Sequence, residues 1–297
     1  LSYAVAGSNG VVGKLGEKMT TIALIGAGGK MGCRLTNNFI RTNFTLRYVE
    51  ISEQGKANLA NLGVKPTLED EALSVADVVI LAVPDKALGQ IAHTVVPKLN
   101  PGTLVMLLDP AAAAAGELPN RADIAYFVTH PCHPPVFNDE VGEAKKDFFG
   151  GVLAKQAIVC ALMQGTEDYY SLGESIAKEM YGPVTKSHRV TVEQMAILEP
   201  TMAETVTAAC ITIIKESMDE AIKRGVPADA ARDFILGHIN IPLAIVFGEV
   251  GSPFSDGAKL IIEYGKKRLF QPDWKSLFEP EEVKNQVKLI VQGVKPS

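Results

Sequence analysis

The sequence is poor in several features that would place it in familiar classes. Its 297 residues hold four cysteines, Cys33, Cys132, Cys160 and Cys210, scattered with no C-x-x-C pair. That scarcity argues against a disulfide framework or a zinc knuckle and leads us to expect reduced thiols in a cytoplasmic protein. No Lys/Arg cluster forms a stripe and the net charge is −5, so no nucleic-acid partner is expected. Reading along the chain, no apolar run reaches the roughly 18 residues needed to span a bilayer, so no membrane association is expected either. The opening "LSYAVAGSNGVVGKLGEK" lacks a basic start followed by an apolar core, and so does not read as a secretion signal. Low-complexity segments and internal repeats are also lacking. What remains, 47% apolar and 21% charged residues over a length sufficient for two domains, is ordinary for a globular protein.

Punctuation along the chain divides it into three expected parts. The chain opens on Leu, and Met19 stands just ahead of "TTIALIG", so residues 1–18 read as an upstream extension, non-native or disordered. Over residues 19–150, apolar runs alternate with helical or turn-rich spacers: "TIALIG" (21–26), "LRYVEI" (46–51), "ADVVILAV" (76–83), "TLVMLLD" (103–109) and "DIAYFVT" (123–129). Near-continuous Val, Ile and Leu is the pattern of strands buried on both faces, and the alternation implies right-handed crossovers in a doubly wound parallel sheet. Residues 151–297 open with one more apolar run, "QAIVCALM" (156–163), and then turn helical, with a long pattern from Val190 to Arg224 interrupted by Pro200. This second part is expected to be a mostly helical substrate and dimerisation domain, with a second copy of the chain as its partner.

Two stretches carry glycines at a spacing of three: Gly7, Gly10 and Gly13, and then Gly26, Gly29 and Gly32. The second has the context of a dinucleotide site. An apolar strand precedes it, a helical pattern follows, and Glu50 closes the next strand 18 residues past Gly32. In that arrangement Gly26 closes the strand, Gly29 admits the pyrophosphate and Gly32 lets the helix pack. Gly28, Lys30 and Met31 complete the turn, and phosphates sit on free N–H groups at the helix start. A carboxylate at Glu50 accepts from ribose hydroxyls and repels a 2′-phosphate, which favours NAD over NADP. "AVPD" (82–85) places Pro84 and Asp85 where a cofactor would pass the sheet. The first stretch lacks room for a helix and an acidic strand end, so it is not expected to touch nucleotide.

Two further constellations carry chemistry. The run "DIAYFVT" leads into "HPCHPPVFND" (130–139), which puts His130 and His133 at a carboxyl strand end, with Pro131, Pro134 and Pro135 stiffening the loop. Such a pair suits metal ligation, or a general acid–base with a substrate anchor; exposed imidazoles in a structural turn are the plainer reading. In "ILEPTMAETVTAAC" (197–210), Met195, Glu199, Met202 and Val206 share one helical stripe, so Glu199 interrupts an apolar face. Glu204 stands five residues on, roughly 140° around a regular helix, so the two would not face one ligand unless Pro200 relaxes the winding. Glu199 is therefore the preferred ligand and Glu204 a base candidate, against the plainer reading of caps or inter-helix ion pairs. His238 and Asn240 read as a satisfied core pair, or as residues reaching a second copy's site.

Taken together, "GAGGKMG", "AVPD", "HPCHPP" and "LEPTMAETV" resemble the bacterial D-apionate oxidoisomerase family, over about residues 20–290. That family lies within the 6-phosphogluconate-dehydrogenase-like superfamily of a Rossmann domain followed by an all-helical dimerisation domain. The resemblance implies NAD-dependent oxidation of a branched sugar acid followed by an α-ketol carbon shift. It also implies a divalent metal ion with His130 and Glu199 as candidate ligands, and leaves His133 or Glu204 as the proton acceptor. The chain departs from β-hydroxyacid dehydrogenases, whose catalytic Lys lies on a helix in G-x-x-x-K: Gly182 and Lys186 match by letter, but Pro183 and β-branched neighbours predict a turn or strand. Two other readings stand beside this one: a plain NAD-dependent dehydrogenase of a small hydroxy acid, and a non-enzymatic dinucleotide sensor.

Overall fold

The computed structural model describes residues 19–293, so the expectation for residues 1–18 lies outside the described part. The chain forms two compact units. The first runs through Asp109 and resumes over Glu117–Val192; the second comprises Pro110–Gly116 and the chain from Glu193 onward.

The first unit is built on β1 (Thr21–Ile25), α1 (Lys30–Phe39), β2 (Thr45–Val49), α2 (Glu53–Asn61), α3 (Glu69–Val75), β3 (Val78–Leu81), α4 (Asp85–Val95) and β4 (Leu104–Leu107). The second unit takes α5 (Ala111–Ala114) from the chain between, and the first unit continues with β5 (Ala125–Pro131), β6 (Gln156–Gln164), α6 (Glu167–Met180) and β7 (Val184–Arg189). The seven strands make one sheet in the order β2-β1-β3-β4-β5-β6-β7. Every residue of β1, β3 and β4 is buried, as the continuous apolar runs predict. Fully burying a Leu, Ile or Val contributes about 1.5–3 kcal/mol each. Leu35, Phe39, Leu59, Ile176 and Met180 cover the sheet with helix side chains in one continuous core.

Two expectations are corrected in this unit. The sheet is parallel except at β5·β6, which is antiparallel. The 24 residues between these strands (132–155) contain only one 3₁₀ turn and no crossover helix, so β6 re-enters from the end at which β5 left. The boundary expected at 150 also moves: β6, α6 and β7 belong to the sheet unit, which ends at Val192. Lys186 lies exposed in β7, so the G-x-x-x-K letters do not fall on a helix.

The second unit is helical throughout its described residues. After α7 (Val192–Ala196) the chain winds as a π-helix over Ile197–Ala208, then continues as α8 (Ala209–Lys223), α9 (Ala228–Val246), α10 (Asp256–Leu269) and α11 (Pro280–Gln292). Ala111 of α5, Ala196, Val283 and Val287 form its small buried cluster. The continuous helix Val192–Lys223 is, by length and composition alone, apolar enough to cross a membrane. The same helix carries Glu199 and Glu204 and is broken in its winding at Pro200.

Candidate active site

The carboxyl edge of the sheet collects the residues with chemical potential. At the end of β1, Gly26 turns the chain with φ +78°, a left-handed conformation that favours glycine. Gly29 is the N-cap of α1 and supplies no side chain to cap it, so the first N–H groups of that helix are left for a ligand. Close backbone approach explains two of the other glycines. A Cβ on Gly28 would overlap the Gly55 carbonyl of α2, and one on Gly32 would overlap the Gly26 carbonyl. The Gly28 carbonyl is held by the Asn58 amide at 2.9 Å and by the Cys33 thiol at 3.3 Å.

Glu50 is poised beside this turn. Its Oε2 accepts the Gly28 N–H at 3.0 Å, and its Oε1 accepts from the Ser52 N–H and hydroxyl at 2.8 and 2.9 Å. The Ser52 hydroxyl in turn caps α2 by accepting the Gly55 N–H. From the other side, a Cβ on Gly26 would also meet the Ala82 carbonyl, so the "AVPD" turn lies against the glycine turn, with Pro84 as the N-cap of α4 and Asp85 in its first turn. Lys30 and Met31 occupy the first two positions of α1. The chain runs from β1 to β2 on one side and returns to β3 on the other. The crevice at this switch point is where open α/β sheets take ligands.

Farther along the edge, His130 lies on β5 and donates from Nδ1 to the Leu108 carbonyl at 2.8 Å, with the Asp109 carboxylate 4.0 Å from the same nitrogen. That bond selects the Nδ1–H tautomer of the neutral ring and leaves the lone pair on Nε2. His133 makes the matching arrangement: its Nδ1 donates to the Phe149 carbonyl at 2.8 Å. The two imidazole centroids are 6.1 Å apart and mutually perpendicular. His133 also has φ +61°, alone among the described non-glycine residues in being positive. A left-handed conformation costs about 1–2 kcal/mol in such a residue.

The loop that receives His133 is tied by one carboxylate. Asp147 Oδ2 accepts the N–H groups of Val152, Leu153 and Ala154 at 3.2, 2.8 and 3.1 Å. Burial pushes this carboxyl up, but the backbone N–H groups that face it outweigh burial and hold it below the usual carboxylate range. Asp147→Asn is therefore expected to lose about 1–3 kcal/mol at neutral pH, read from urea midpoints. A depressed carboxyl stabilises fully above the ordinary carboxylate range, and that contribution disappears as pH falls through its lowered value. The gap between variant and wild type should shrink accordingly in acid; an equal gap at every pH would sink this account.

In the second unit, Glu199 is half-buried and Glu204 exposed, both within the π-helix. The five-residue separation equals the π hydrogen-bond step, so the two carboxylates fall about one turn apart along one side rather than across the helix. Thr205 and Thr207 reinforce this winding through their hydroxyls, which reach the carbonyls of Pro200 and Met202, five residues back, at 2.7 and 2.8 Å. The expected apolar stripe is corrected: Met195 is buried but Met202 is 46% exposed. For His238 and Asn240 the core reading is corrected, because both are exposed on α9, with His238 stacked on Phe234 at 3.9 Å.

His130 belongs to the first unit and Glu199 to the second. Among the described residues no group of three or more His, Cys, Asp or Glu side chains gathers as a metal site.

Comparison with known proteins divides the chain earlier than the two compact units do. Residues 21–109 match the family described as NADP oxidoreductase coenzyme F420-dependent, and residues 138–291 match Phosphogluconate dehydrogenase (decarboxylating) C-term. Across 274 residues the chain is 56% identical to a D-apionate oxidoisomerase of Rhizobium rhizogenes, covering 92% of this chain and 100% of that protein. The chain belongs to the D-apionate oxidoisomerase family. A second member, from Cupriavidus necator, is 51% identical over 271 residues, 91% of this chain and 98% of its own length. A crystal structure of a semialdehyde dehydrogenase NAD-binding protein from Cupriavidus necator, in complex with calcium and NAD, superposes with a TM-score of 0.90. It is 50% identical, and the match covers 92% of this chain and all of that one.

As a member of the D-apionate oxidoisomerase family, the chain presents three residues that sequence reasoning missed: Arg34, Asp147 and Phe149. Arg34 had a readable signal, because it follows Lys30 by four positions and so shares its face of α1. Asp147 and Phe149 lie in an irregular loop whose proximity to His133 depends on chain closure, and no local pattern announces it.

Proposed function

We propose that this chain oxidises D-apionate, a branched sugar acid, with NAD and then shifts a carbon within the product. The observation that carries the reading is the line of the carboxyl edge. A dinucleotide turn with a poised Glu50 and two imidazoles with defined tautomers follow one another along a single sheet.

In this reading the pyrophosphate of NAD rests on the uncapped start of α1, with Gly26, Gly28, Gly29, Lys30, Met31 and Gly32 around it. Glu50 accepts from the adenosine ribose, and Pro84 and Asp85 flank the cofactor's path. Hydride leaves C2 of the acid for the nicotinamide while His133 Nε2 takes the proton of the C2 hydroxyl; Glu204 is the second candidate for that base. The Nδ1–H of His133 remains on the Phe149 carbonyl, so the imidazolium that forms on protonation stays oriented. The product is a 2-keto acid beside a tertiary alcohol. Loss of that alcohol's proton lets the bonding pair of one hydroxymethyl group move from C3 to C2. C3 becomes the ketone, and the C2 oxygen takes up a proton. Oxidation yields one NADH and one proton, and the shift itself is redox-neutral.

A second copy of the chain belongs to this proposal. Ile211 on α8, Phe234 and Ile241 on α9, and Leu260, Ile261 and Leu269 on α10 are exposed apolar side chains of one unit. Such a concentration is typical of surfaces covered by a partner, and it supports a homodimer through the helical unit.

The test is incubation with D-apionate and either NAD or NADP, with and without a chelator, followed by product NMR. The expected result is NADH formation, preference for NAD, and a rearranged carbon skeleton. An unrearranged 2-keto acid would reduce the chain to a plain dehydrogenase, and NADH binding without turnover would make it a sensor. Loss of the shift on chelation would support a divalent cation on His130 and Glu199; full activity in chelator would remove it.

A further inference from the structure

One cluster in the first unit joins the cofactor turn to the proton acceptor and adds a cation, Arg34, that neither role uses. Phe149, 51% exposed, carries two cations on its ring: the Arg34 guanidinium carbon at 4.2 Å from the centroid and the Lys30 ammonium at 5.3 Å. The described structure gives neither cation an ion pair or a side-chain hydrogen bond. Contact with a ring occupies the face of a guanidinium and leaves its in-plane N–H donors available. The same ring lies 6.1 Å from the His133 ring, edge to face.

A narrow cavity of about 20 Å³ runs beneath this cluster, lined among others by Met31, Arg34, His133, Phe149 and Gln156. Gln156 is only 2% exposed; its amide N–H donates to the Tyr181 carbonyl at 2.8 Å, but its Oε1 has no hydrogen-bond partner. A buried acceptor without a donor is costly, so this atom calls for an O–H group or a water. The cluster thus offers cationic donors for an anion and, next to them, an acceptor for a hydroxyl.

The geometry points to a carboxylate subsite made by Arg34 and Lys30 on the Phe149 ring, specific for the acid group of a polyhydroxy acid. In a 2-hydroxy acid the carboxylate and the hydroxyl to be oxidised stand on neighbouring carbons. A base and an anion subsite must then be adjacent, and His133 and Arg34 meet on one phenyl ring. Asp147 orders the backbone that presents that ring, so the subsite and the base are set by the same loop. Gln156 Oε1 accepts from a substrate hydroxyl directly or through one water. This assignment rests on the proposed oxidation of a sugar acid and names the group that selects it.

The test uses full-length enzyme with Arg34→Gln, Arg34→Lys and Phe149→Leu. Arg34→Gln is expected to raise KM for D-apionate about 10–100-fold, with Arg34→Lys between it and wild type. Phe149→Leu should raise KM several-fold, while the NADH Kd from fluorescence titration stays within twofold in all three. Calorimetric binding of D-glycerate and of its neutral amide to the enzyme–NADH complex gives an arm independent of turnover. Wild type should prefer the acid, and Arg34→Gln should lose that preference. Unchanged KM and unchanged acid preference would overturn the subsite, as would a loss confined to NADH affinity, which would move Arg34 to the cofactor. Should wild type fail to oxidise D-apionate yet still prefer acid over amide, the subsite stands and the substrate reading falls.

Discussion

His133→Gly is expected to keep its fold and lose its chemistry: stability within about 1 kcal/mol of wild type, and kcat lower by about 10²–10⁴-fold. Two terms nearly cancel in the folded state. Glycine removes the cost of holding a side chain at φ +61°, about 1–2 kcal/mol. It also removes the hydrogen bond from Nδ1 to the Phe149 carbonyl, a loss of about 0.5–1.5 kcal/mol. Nothing cancels in the transition state, where the proton acceptor is gone. Thermal unfolding, NADH titration and initial rates separate the two. His133→Asn provides a companion, since asparagine tolerates the left-handed region but supplies no base. Rates within threefold of wild type in both variants would dismiss His133 as the acceptor and leave Glu204. The strain at this residue is then a plain structural cost, since residues held in sparse backbone regions persist only where their surroundings enforce them.

The second large effect falls on the cofactor. Gly28→Ala should weaken NAD binding by about 10–100-fold. The added methyl meets the backbone of Gly55 in α2, not a side chain that could swing away. Relief requires α2 to move, and Glu50 moves with it, because its carboxylate lies against Gly55 and bridges Gly28 to Ser52. One methyl group therefore disturbs both the pyrophosphate turn and the ribose acceptor. Gly63→Ala serves as the control: φ is +75° there but open space surrounds the site. That variant should lose about 1 kcal/mol of stability and keep its NAD affinity. Equal NAD affinity in Gly28→Ala and wild type would contradict the packing argument.

Much of the sheet unit was legible because its signals are local. Strands buried on both faces read as unbroken Val, Ile and Leu, and the glycine turn, Glu50 and the two histidines each stand at a strand end. The boundary at 150 was illegible for a physical reason. A single apolar run such as 156–163 does not reveal whether it joins an existing sheet, and its antiparallel entry removes the crossover helix that marks the earlier strands. His130 and His133 were found, yet their partners were not, since Leu108 and Phe149 contribute carbonyl oxygens that no side-chain pattern encodes. The Phe149 cluster is assembled by residues 115 positions apart, Arg34 and Phe149, and only folding brings them together.

The π-helix at 197–208 acts on the second unit as a phase shift. Each α-helical residue advances the face by about 100°, whereas the wider winding advances it by less, so the slack accumulates across three turns. Residues of α8 consequently point in directions that a regular helix counted from Val192 would assign to others. The exposed apolar face of α8, and any symmetry axis built on it, is therefore indexed by Pro200 and two threonine hydroxyls rather than by the residues on that face.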